Sequence, residues 1–264
     1  MNFMVFETIQ VSTVQDGICV ITMNRPEALN ALSDVTISEL SQALDQIETQ
    51  QETRVVIITG NGKAFVAGAD ISYMTTLTAD ESLIFSKDTT EIYRKMNNSK
   101  RVFIAAVNGF AMGGGCEFAL ACDLRIASKK AVFALPEVGL GILPGGGGTQ
   151  RLSRLIGTQK AAELILTGNT IKGEEALTYG LVCQIAEPEE LMEKAMELAK
   201  KVIKNSPLAV SYAKRCIRQS EQVGLEAGIE LENMMFGLCF ADSDRMEGLT
   251  AFLESRKPVF KKVL

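Results

Sequence analysis

The sequence contains neither histidine nor tryptophan. The absence of histidine excludes a Ser-His-Asp triad, a Cys-His pair, a histidine general base and a histidine-ligated metal. Carboxylates must therefore carry any acid and base chemistry near neutral pH, and we expect no metal site.

The chain also lacks a Cys-x-x-Cys pair, although it has six cysteines. Several of them lie in apolar segments, where cysteine behaves as a small hydrophobic residue. The N-terminal residues Met1 to Glu7 show no cationic leader, and no apolar run approaches the roughly 20 residues of a membrane span. We therefore expect a reduced, cytoplasmic protein with no membrane partner.

Clusters of positive charge are absent as well. The net charge is −5, and the lysine and arginine residues are scattered along the chain singly or in adjacent pairs, with no longer run. Phosphate backbones require cations grouped on one face, so the composition argues against a nucleic-acid partner. The chain has 264 residues, and its apolar content of 47% is enough for a full core.

Four short segments rich in apolar and β-branched residues alternate with helix patterns. These segments are Ile18 to Met23, Val55 to Thr59, Val102 to Val107 and Leu124 to Ala127. One helix pattern follows an N-cap at Ser33, and another begins with the capping-box sequence Thr78 to Glu81. The alternation predicts a layered α/β core.

After about Ile185 the pattern becomes nearly continuous helix. The predicted helices are Glu189 to Lys204, Pro207 to Gln219, Leu225 to Phe240 and Asp242 to Ser255. Their apolar positions are numerous for helices that pack only on one another. We therefore divide the chain into a core, residues 1–185, and a helical oligomerisation region, residues 186–264. A helical subdomain that buries its own surface in a monomer is the alternative.

Two glutamates stand alone in apolar surroundings beside glycine clusters. Glu117 follows Gly113-Gly114-Gly115-Cys116, and Glu137 lies between Phe133-Ala134-Leu135-Pro136 and Val138-Gly139. A buried carboxylate needs a partner or a raised pKa, and two of them near one cleft can move protons at neutral pH. A buried salt bridge or a cap is the alternative for each glutamate alone. Their combination in a chain without histidine favours a paired-carboxylate site.

The triple glycine at 113–115 precedes a predicted helix, so its N–H groups lie at a helix N-terminus. Such groups bind negative charge and can hold a developing oxyanion. Alternatively, the glycines only permit close packing. A second donor is expected from Ala67-Gly68-Ala69-Asp70-Ile71, where Asp70 is interpreted mainly as an N-cap.

A further glycine-rich segment runs from Gly139 to Gln150. It lacks both the Gly-Lys-Ser/Thr ending of a phosphate loop and the Gly-x-Gly-x-x-Gly spacing of a dinucleotide site. We interpret it as a tight turn packed behind the site and leading into a helix.

Several of these motifs occur in the order of a known family. They are Asn24-Arg25-Pro26 to Asn30-Ala31-Leu32, Phe65 to Ile71, Ala105 to Gly109, Gly113 to Glu117, and Pro136-Glu137 through Gly148-Thr149-Gln150-Arg151. The chain resembles the crotonase, or enoyl-CoA hydratase/isomerase, superfamily, and within it the bacterial short-chain enoyl-CoA hydratases. The motifs span about residues 18 to 160, and the helical tail is also similar.

The resemblance implies a spiral core of repeated ββα units and a C-terminal helical trimerisation region, commonly assembled as a hexamer. It implies an enzyme of fatty-acid metabolism that reversibly adds water, with syn geometry, to a short-chain trans-2-enoyl-CoA. Coenzyme A would be part of the substrate, and no separate cofactor is expected. The N–H groups of Ala69 and Gly114 would bind the thioester oxygen. Glu117 would activate the water that attacks C3, and Glu137 would deliver a proton to C2.

The resemblance also suggests where coenzyme A lies. The residues implied to contact it are Ala28, Ala67, Asp70 and Ile71, with Arg25 and Lys257 near its phosphates. The segment Phe133-Ala134-Leu135-Pro136 departs from the Phe-Gly-Gln-Pro of many close hydratases. We expect Leu135 to make the acyl wall bulkier and less polar.

Other activities of the superfamily are the alternatives. Its isomerases and hydrolases usually retain one or neither glutamate at these positions, so an enoyl-CoA isomerase or an acyl-CoA hydrolase is the second interpretation. Some crotonase-like proteins bind RNA through a lysine-rich helix. The corresponding segment here, Glu39 to Thr53, contains no lysine and several acids, which opposes RNA binding.

Overall fold

The computed structural model of the chain describes residues 4–14 and 17–264. The first three residues of the N-terminal segment considered above lie outside the described residues. The architecture is a layered arrangement of two sheets and surrounding helices, which confirms the predicted α/β class.

The larger sheet forms the centre of the fold. Its strands are β1 (Ile9–Val14), β2 (Ile18–Met23), β3 (Val55–Gly60), β5 (Val102–Val107), β7 (Leu124–Ser128) and β10 (Gln184–Ala186). Within the described residues they lie in the order β1-β2-β3-β5-β7-β10. The pair β1 and β2 is antiparallel, and the other neighbours are parallel. All four predicted strands are confirmed to within one residue at each end. The edge strands β1 and β10 were not predicted.

A smaller sheet lies beside it and was also not predicted. Its strands are β4 (Ala64–Val66), β6 (Phe110–Met112), β8 (Val132–Ala134) and β9 (Ile171–Lys172), in the order β4-β6-β8-β9. Each of β4, β6 and β8 follows a strand of the larger sheet after a short turn and precedes a helical segment. This is the repeated ββα arrangement that the resemblance implied.

Helices cover the sheets and carry the chain between the repeats. They are α1 (Asp34–Thr49), α2 (Ile71–Met74), α3 (Ala79–Asn98), α4 (Gly114–Ala121), α5 (Gly148–Ile156), α6 (Thr158–Thr167) and α7 (Gly173–Thr178). Three 3-10 helices occupy Pro26–Ala28, Glu137–Leu140 and Pro188–Glu190. The predicted helix starts are confirmed: Ser33 accepts a bond from the N–H of Thr36, and Thr78 and Glu81 form a reciprocal capping box.

The C-terminal region is helical, as predicted. It contains α8 (Leu191–Ile203), α9 (Pro207–Gln219), α10 (Leu225–Phe240) and α11 (Ser243–Leu253). The buried side of α8 packs against the larger sheet, so this helix shares a core with residues before position 185. The division of the chain at residue 185 therefore stays a prediction.

Helix α9 is anchored to the core by a buried ionic cluster. The Lys214 Nζ atom lies 2.9 Å from Asp123 Oδ2, and Arg218 Nη2 lies 3.0 Å from Asp123 Oδ1. Lys214 also donates to the carbonyl oxygen of Met96 at 2.8 Å. The paired charges compensate one another in a place where an unpaired charge would be costly. They also fix the segment that immediately follows α4.

The last two helices expose apolar surface. The side chains of Phe236, Phe252 and Leu253 are 67%, 82% and 83% exposed. All six cysteines are free thiols. In the described part of the chain, no helix has the length and apolar character needed to cross a membrane.

Candidate active site

A cavity of about 650 Å³ opens between α2 and α3 on one side and the segment Pro136–Gly146 on the other. Apolar side chains form most of its wall, among them Leu77, Leu83, Phe85, Leu140 and Leu143. Of the described residues that line it, only Glu117 and Glu137 have acidic or basic side chains. The structure thus brings together the two glutamates that the sequence singled out, in an apolar enclosure of the kind that binds small molecules.

The helix α4 places Glu117 against the cavity. The chain leaves β5, forms β6 and enters α4 at the triple glycine, with Gly113 at a positive φ of 49°. A Cβ atom on Gly115 would lie 1.9 Å from the carbonyl oxygen of Val66, so only glycine permits this contact between α4 and β4. Glu117 lies in the first turn of α4 and is 3% exposed. Close packing and site formation are therefore both functions of the glycine run.

The carboxylate of Glu117 is held by backbone N–H groups. Its Oε1 atom accepts bonds from the N–H groups of Gly146 at 2.8 Å and Gly148 at 2.7 Å. Burial raises the pKa of Glu117, while these two bonds and the charge of Arg151 oppose the rise. Burial is the largest of these effects and leaves the pKa of Glu117 raised overall, and the two N–H bonds and Arg151 limit that rise.

Glu137 has different surroundings. It begins the 3-10 helix after β8, is 9% exposed, and its Oε2 atom has no hydrogen-bond partner among the described residues. Burial, assisted by the charge of Glu117, raises the pKa of Glu137 to about 7. A bond from its own backbone N–H opposes this rise, but a buried carboxyl group with an oxygen that receives no bond is more stable when protonated, so Glu137 is suited to hold a proton at neutral pH.

Two backbone N–H groups line the cavity near these carboxylates. The N–H of Leu32 donates to the carbonyl oxygen of Gly68, and the carbonyl oxygen of Leu32 accepts from the N–H of Asp70. The N–H of Ala69 lies between these two bonds and takes part in neither. Gly114 is the first residue of α4, so its N–H has no partner within the helix. In the part of the chain that the structure describes, neither N–H donates to a protein acceptor.

The two donors are neighbours in space. A Cβ atom on Gly114 would lie 3.7 Å from the nitrogen of Ala69, and one on Gly113 would lie 3.1 Å from Oε1 of Glu137. Paired N–H donors in an apolar site stabilise an oxygen that gains negative charge. The arrangement suits a reaction in which an oxyanion develops while one carboxylate takes a proton and another delivers one.

The residues implied to bind coenzyme A are only partly gathered at this cavity. Ala67 and Ile71 line it. Asp70 lies between the lining residues Ala69 and Ile71, accepts from the N–H of Ser72 at 3.1 Å as the N-cap of α2, and pairs with Arg25 at 3.2 Å.

Ala28 and Lys257, like Arg25 and Asp70, are not part of the cavity lining. Ala28 is the last residue of the 3-10 helix that follows Arg25. The residue after it, Leu29, accepts a hydrogen bond from the N–H of Ala67, which places Ala28 beside the cavity. Lys257 is exposed in the segment after α11 and is not brought to the cavity within this chain. Among the described residues, no three cysteine, aspartate or glutamate side chains are grouped as metal ligands.

The expectation for Leu135 is wrong. Leu135 is 1% exposed and does not line the cavity. Its side chain instead packs against Gly148, where an added Cβ atom would lie 2.8 Å from Cδ1 of Leu135. Leu135 directly follows β8 and belongs to the buried core, so it supports the turn that holds Glu117 and forms no part of an acyl wall.

The role of the second glycine run also differs from the prediction. Gly145 and Gly146 line the cavity, and the run supplies the N–H groups that hold Glu117, so it is part of the site and not only a turn behind it. Arg151 supports this run because its Nη1 atom donates to the carbonyl oxygen of Gly146 at 2.7 Å. The glycine run itself was the available signal, since closely spaced glycines allow backbone to approach a buried side chain.

The sequence and fold match known proteins over most of their length. Residues 13–263 match the family model described as enoyl-CoA hydratase/isomerase. The short-chain-enoyl-CoA hydratase of Clostridium acetobutylicum is 47% identical over 91% of this chain and 92% of that protein. The crotonyl-CoA hydratase of Syntrophomonas wolfei is 43% identical over 93% of this chain and 95% of that protein.

Solved structures agree with these relatives. The crystal structure of an enoyl-CoA hydratase from Bacillus anthracis superposes with a TM-score of 0.93 at 41% identity, and the match covers 97% of this chain and 100% of that chain. A likeness at this level covers the sheets, the helices of the cavity and the C-terminal helices together.

Proposed function

Because the chain belongs to the enoyl-CoA hydratase/isomerase family, we propose that it catalyses the reversible syn hydration of short-chain trans-2-enoyl-CoA thioesters. The enzyme is a lyase of fatty-acid metabolism. The observation that carries the proposal is the pair of carboxylates in unlike surroundings: Glu117 with two N–H donors to one oxygen, and Glu137 with a buried oxygen that has none. Water addition needs a base and an acid, and this pair supplies both.

The thioester carbonyl oxygen binds the N–H groups of Ala69 and Gly114. These donors withdraw electron density from the conjugated double bond and stabilise the enolate-like state that forms when water adds. Removing one such donor typically costs about 3 kcal/mol of transition-state stabilisation. Because the donors belong to the backbone, they need no cation and no side-chain reorganisation.

The two glutamates move the protons. The ionised Glu117 accepts a proton from the water as its oxygen bonds to C3, and the protonated Glu137 gives its proton to C2. The products are a 3-hydroxyacyl-CoA, a protonated Glu117 and an ionised Glu137, and one proton exchange between them restores the starting state. The reverse reaction uses the same groups in opposite roles.

The coenzyme A portion of the substrate lies along Ala67, Asp70 and Ile71, beside Ala28. Arg25 is half-buried at this edge and presents a guanidinium group, which matches phosphate oxygens geometrically. Its ion pair with Asp70 holds it in place before the substrate arrives. Lys257 reaches a phosphate only if the segment after α11 lies near a cavity in the assembled protein. Coenzyme A enters as substrate, and no other cofactor takes part.

The assembly is a homotrimer or a homohexamer. The many exposed apolar side chains of α10 and α11 support this, because large apolar side chains concentrated on two helices are more often covered by another subunit than left in water. The location is the cytoplasm, which the bacterial relatives support, although some relatives are mitochondrial.

The test follows the conjugated enoyl-thioester absorbance when purified protein meets crotonyl-CoA. We expect rapid loss of absorbance with the wild type, and a loss of several orders of magnitude in turnover for Glu117→Gln and for Glu137→Gln. Both amides keep the volume of the side chain and remove its acid and base function. Glu163→Gln, at an exposed glutamate on α6, is the matched control and should retain full activity.

Binding of a CoA thioester should survive in both active-site variants, since neither glutamate carries the coenzyme A contacts. Near-complete activity in either variant would show that the paired-carboxylate mechanism is wrong. Binding without hydration by the wild type would instead favour an isomerase or a hydrolase.

A further inference from the structure

Tyr93 lies beneath the cavity and connects its two functional parts. It belongs to the buried side of α3 and is 1% exposed. Its hydroxyl donates to the carbonyl oxygen of Gly114 at 3.1 Å. Neither the sequence patterns nor the chemistry described above accounts for this polar group in the core.

The first connection is to the proposed oxyanion donor. The N–H of Gly114 belongs to a peptide between two glycines, and such a peptide has more rotational freedom than any other. Bonds on either side limit that freedom: the N–H of Gly113 donates to Ala134 at 2.9 Å, and Gly113 accepts from the N–H of Glu117 at 3.0 Å. The Tyr93 hydroxyl adds a bond on the far side of Gly114.

The second connection is to the turn that holds Glu117. An added Cβ atom on Gly146 would lie 3.0 Å from Cε2 of Tyr93, so the ring and this glycine are in direct contact. The Arg151 guanidinium lies 5.4 Å from the centre of the Tyr93 ring and donates to the carbonyl oxygen of Gly146. The ring also stacks on Phe118, the residue after Glu117, with centroids 5.8 Å apart.

The hydroxyl is kept in its donating form. Burial raises the pKa of Tyr93 well above its ordinary value, and the negative charge of Glu117 raises it further. Tyr93 therefore remains a neutral donor through the range in which the glutamates titrate. Because its hydroxyl bonds to backbone and its ring is covered, it has no direct contact with a substrate.

We infer that Tyr93 is a positioning residue that fixes the Gly114 N–H relative to the Glu117 carboxylate, so that the oxyanion donor and the water-activating group keep one spacing. This inference rests on the role proposed for Gly114 in binding the thioester oxygen. Small displacements of catalytic groups have large effects on rate, and a shift of about 1 Å can lower turnover by about 100-fold.

The first measurement is the kinetics of Tyr93→Phe. This change removes the hydroxyl and keeps the ring against Phe118, Gly146 and Arg151. We expect kcat for crotonyl-CoA to fall by about tenfold or more while KM stays within about twofold. The pH dependence should not move, because the bonds to Glu117 remain. Tyr179→Phe is the matched control, since it removes a hydroxyl next to α7 and outside the cavity lining.

The second measurement reads the oxyanion site directly. Acetoacetyl-CoA ionises to an enolate whose charge is shared with the thioester oxygen, and the enolate absorbs in the near ultraviolet. With the probe saturated by protein, we expect the pH midpoint of enolate formation to be about one unit higher in Tyr93→Phe than in the wild type, equivalent to a tenfold loss of enolate stabilisation. The midpoint reports only on folded protein that holds the probe, so a loss of stability does not mimic the effect.

The outcomes separate the possibilities. A raised midpoint together with lower kcat supports the inference. An unchanged midpoint overturns it, whether kcat falls or not, because the hydroxyl would then be structural only. An equal shift in Tyr179→Phe also overturns it. If the wild type binds the probe as an enolate but does not hydrate crotonyl-CoA, the proposed reaction fails, and a Tyr93-dependent midpoint would still support the inference.

Discussion

Oε1 of Glu117 lies 2.7 Å from the backbone nitrogen of Gly148. The same oxygen accepts from Gly146, so the position of this carboxylate is set by a glycine run 29 to 31 residues further along the chain. Backbone donors belong to the rigid scaffold and cannot rotate away as a side chain can. The orientation of Glu117 therefore depends on glycine at positions where a methyl group would meet the carboxylate.

The first prediction concerns that dependence. A Cβ atom on Gly146 would lie 2.5 Å from Oε2 of Glu117, so Gly146→Ala must displace the carboxylate or the turn. We expect kcat for crotonyl-CoA to fall by about 100-fold, because the water-activating group leaves its productive position. Steady-state kinetics of the purified variant provides the measurement.

Gly139→Ala is the control for this change. Gly139 lies in the same segment, and an added Cβ atom there would meet nothing within 4 Å. Its substitution should leave kcat and thermal stability close to the wild-type values. Equal activity of the two alanine variants would show that the glycine run does not position Glu117.

The second prediction is the pH dependence of the reaction. The pKa of Glu137 is raised to about 7, so kcat/KM for hydration should fall as the pH rises through this value and Glu137 loses its proton. At low pH, kcat/KM should fall as well, because Glu117 becomes protonated and can no longer accept a proton from the water. Both reaction directions use the pair when it holds one proton, so kcat/KM for hydration and dehydration should share one bell-shaped profile.

The profiles are measured with crotonyl-CoA and with 3-hydroxybutyryl-CoA from about pH 5 to about pH 9. A hydration rate that stays constant through neutral pH would contradict the assignment of Glu137 as the proton donor. If the pH profiles of kcat/KM differed between hydration and dehydration, the two reactions would not use the same singly protonated pair of glutamates.

The sequence predicted four of the six strands of the larger sheet, the caps of α1 and α3, and both glutamates. Each of these rests on a local signal: alternation of residue type, a capping side chain, or a charge in an apolar run. The smaller sheet was missed because its strands are two or three residues long, too short for a periodic pattern.

The sequence did not predict the contacts of the site that join residues far apart in the chain through backbone groups. Glu117 is bonded by Gly146 and Gly148, and Gly114 is bonded by Tyr93. The partners are 21 to 31 residues apart in the sequence, and nothing in the local sequence specifies those contacts. Leu135 was misplaced for a related reason. It directly follows β8, and its direction depends on how the chain leaves this short strand for the 3-10 helix at Glu137–Leu140, which no local pattern specifies.

The third prediction concerns stability. The pKa of Glu137 is raised from its ordinary value of 4.5 to about 7 by folding, so the folded state holds more protons between these values. The free energy of unfolding therefore falls as the pH rises from about 4.5 to about 7, and the full penalty remains above that range. Glu137→Gln removes the penalty and should be more stable than the wild type by about 2 kcal/mol at alkaline pH, less than the roughly 3 kcal/mol that the full pKa change represents because water partly screens the charge.

Denaturant unfolding at a series of pH values tests this expectation. The advantage of Glu137→Gln should disappear in acid, where the wild-type carboxyl is protonated in both states. A constant difference between Glu137→Gln and the wild type would indicate a packing effect and no link to ionisation.

The last prediction concerns acyl-chain length. Leu77 and Phe85 line the main cavity and also a groove of about 420 Å³ between α1 and α3, so they form the wall between the two spaces. Phe85→Ala should open this wall and give a longer acyl chain a path into the groove. We expect the ratio of kcat/KM for a ten-carbon enoyl-CoA to that for crotonyl-CoA to rise by about tenfold, since each added buried methylene contributes favourably.

Ile84→Ala is the matched control because Ile84 lines only the groove. An unchanged ratio in Phe85→Ala would show that the chain is limited by another part of the cavity, and an equal rise in Ile84→Ala would assign the effect to α3 as a whole.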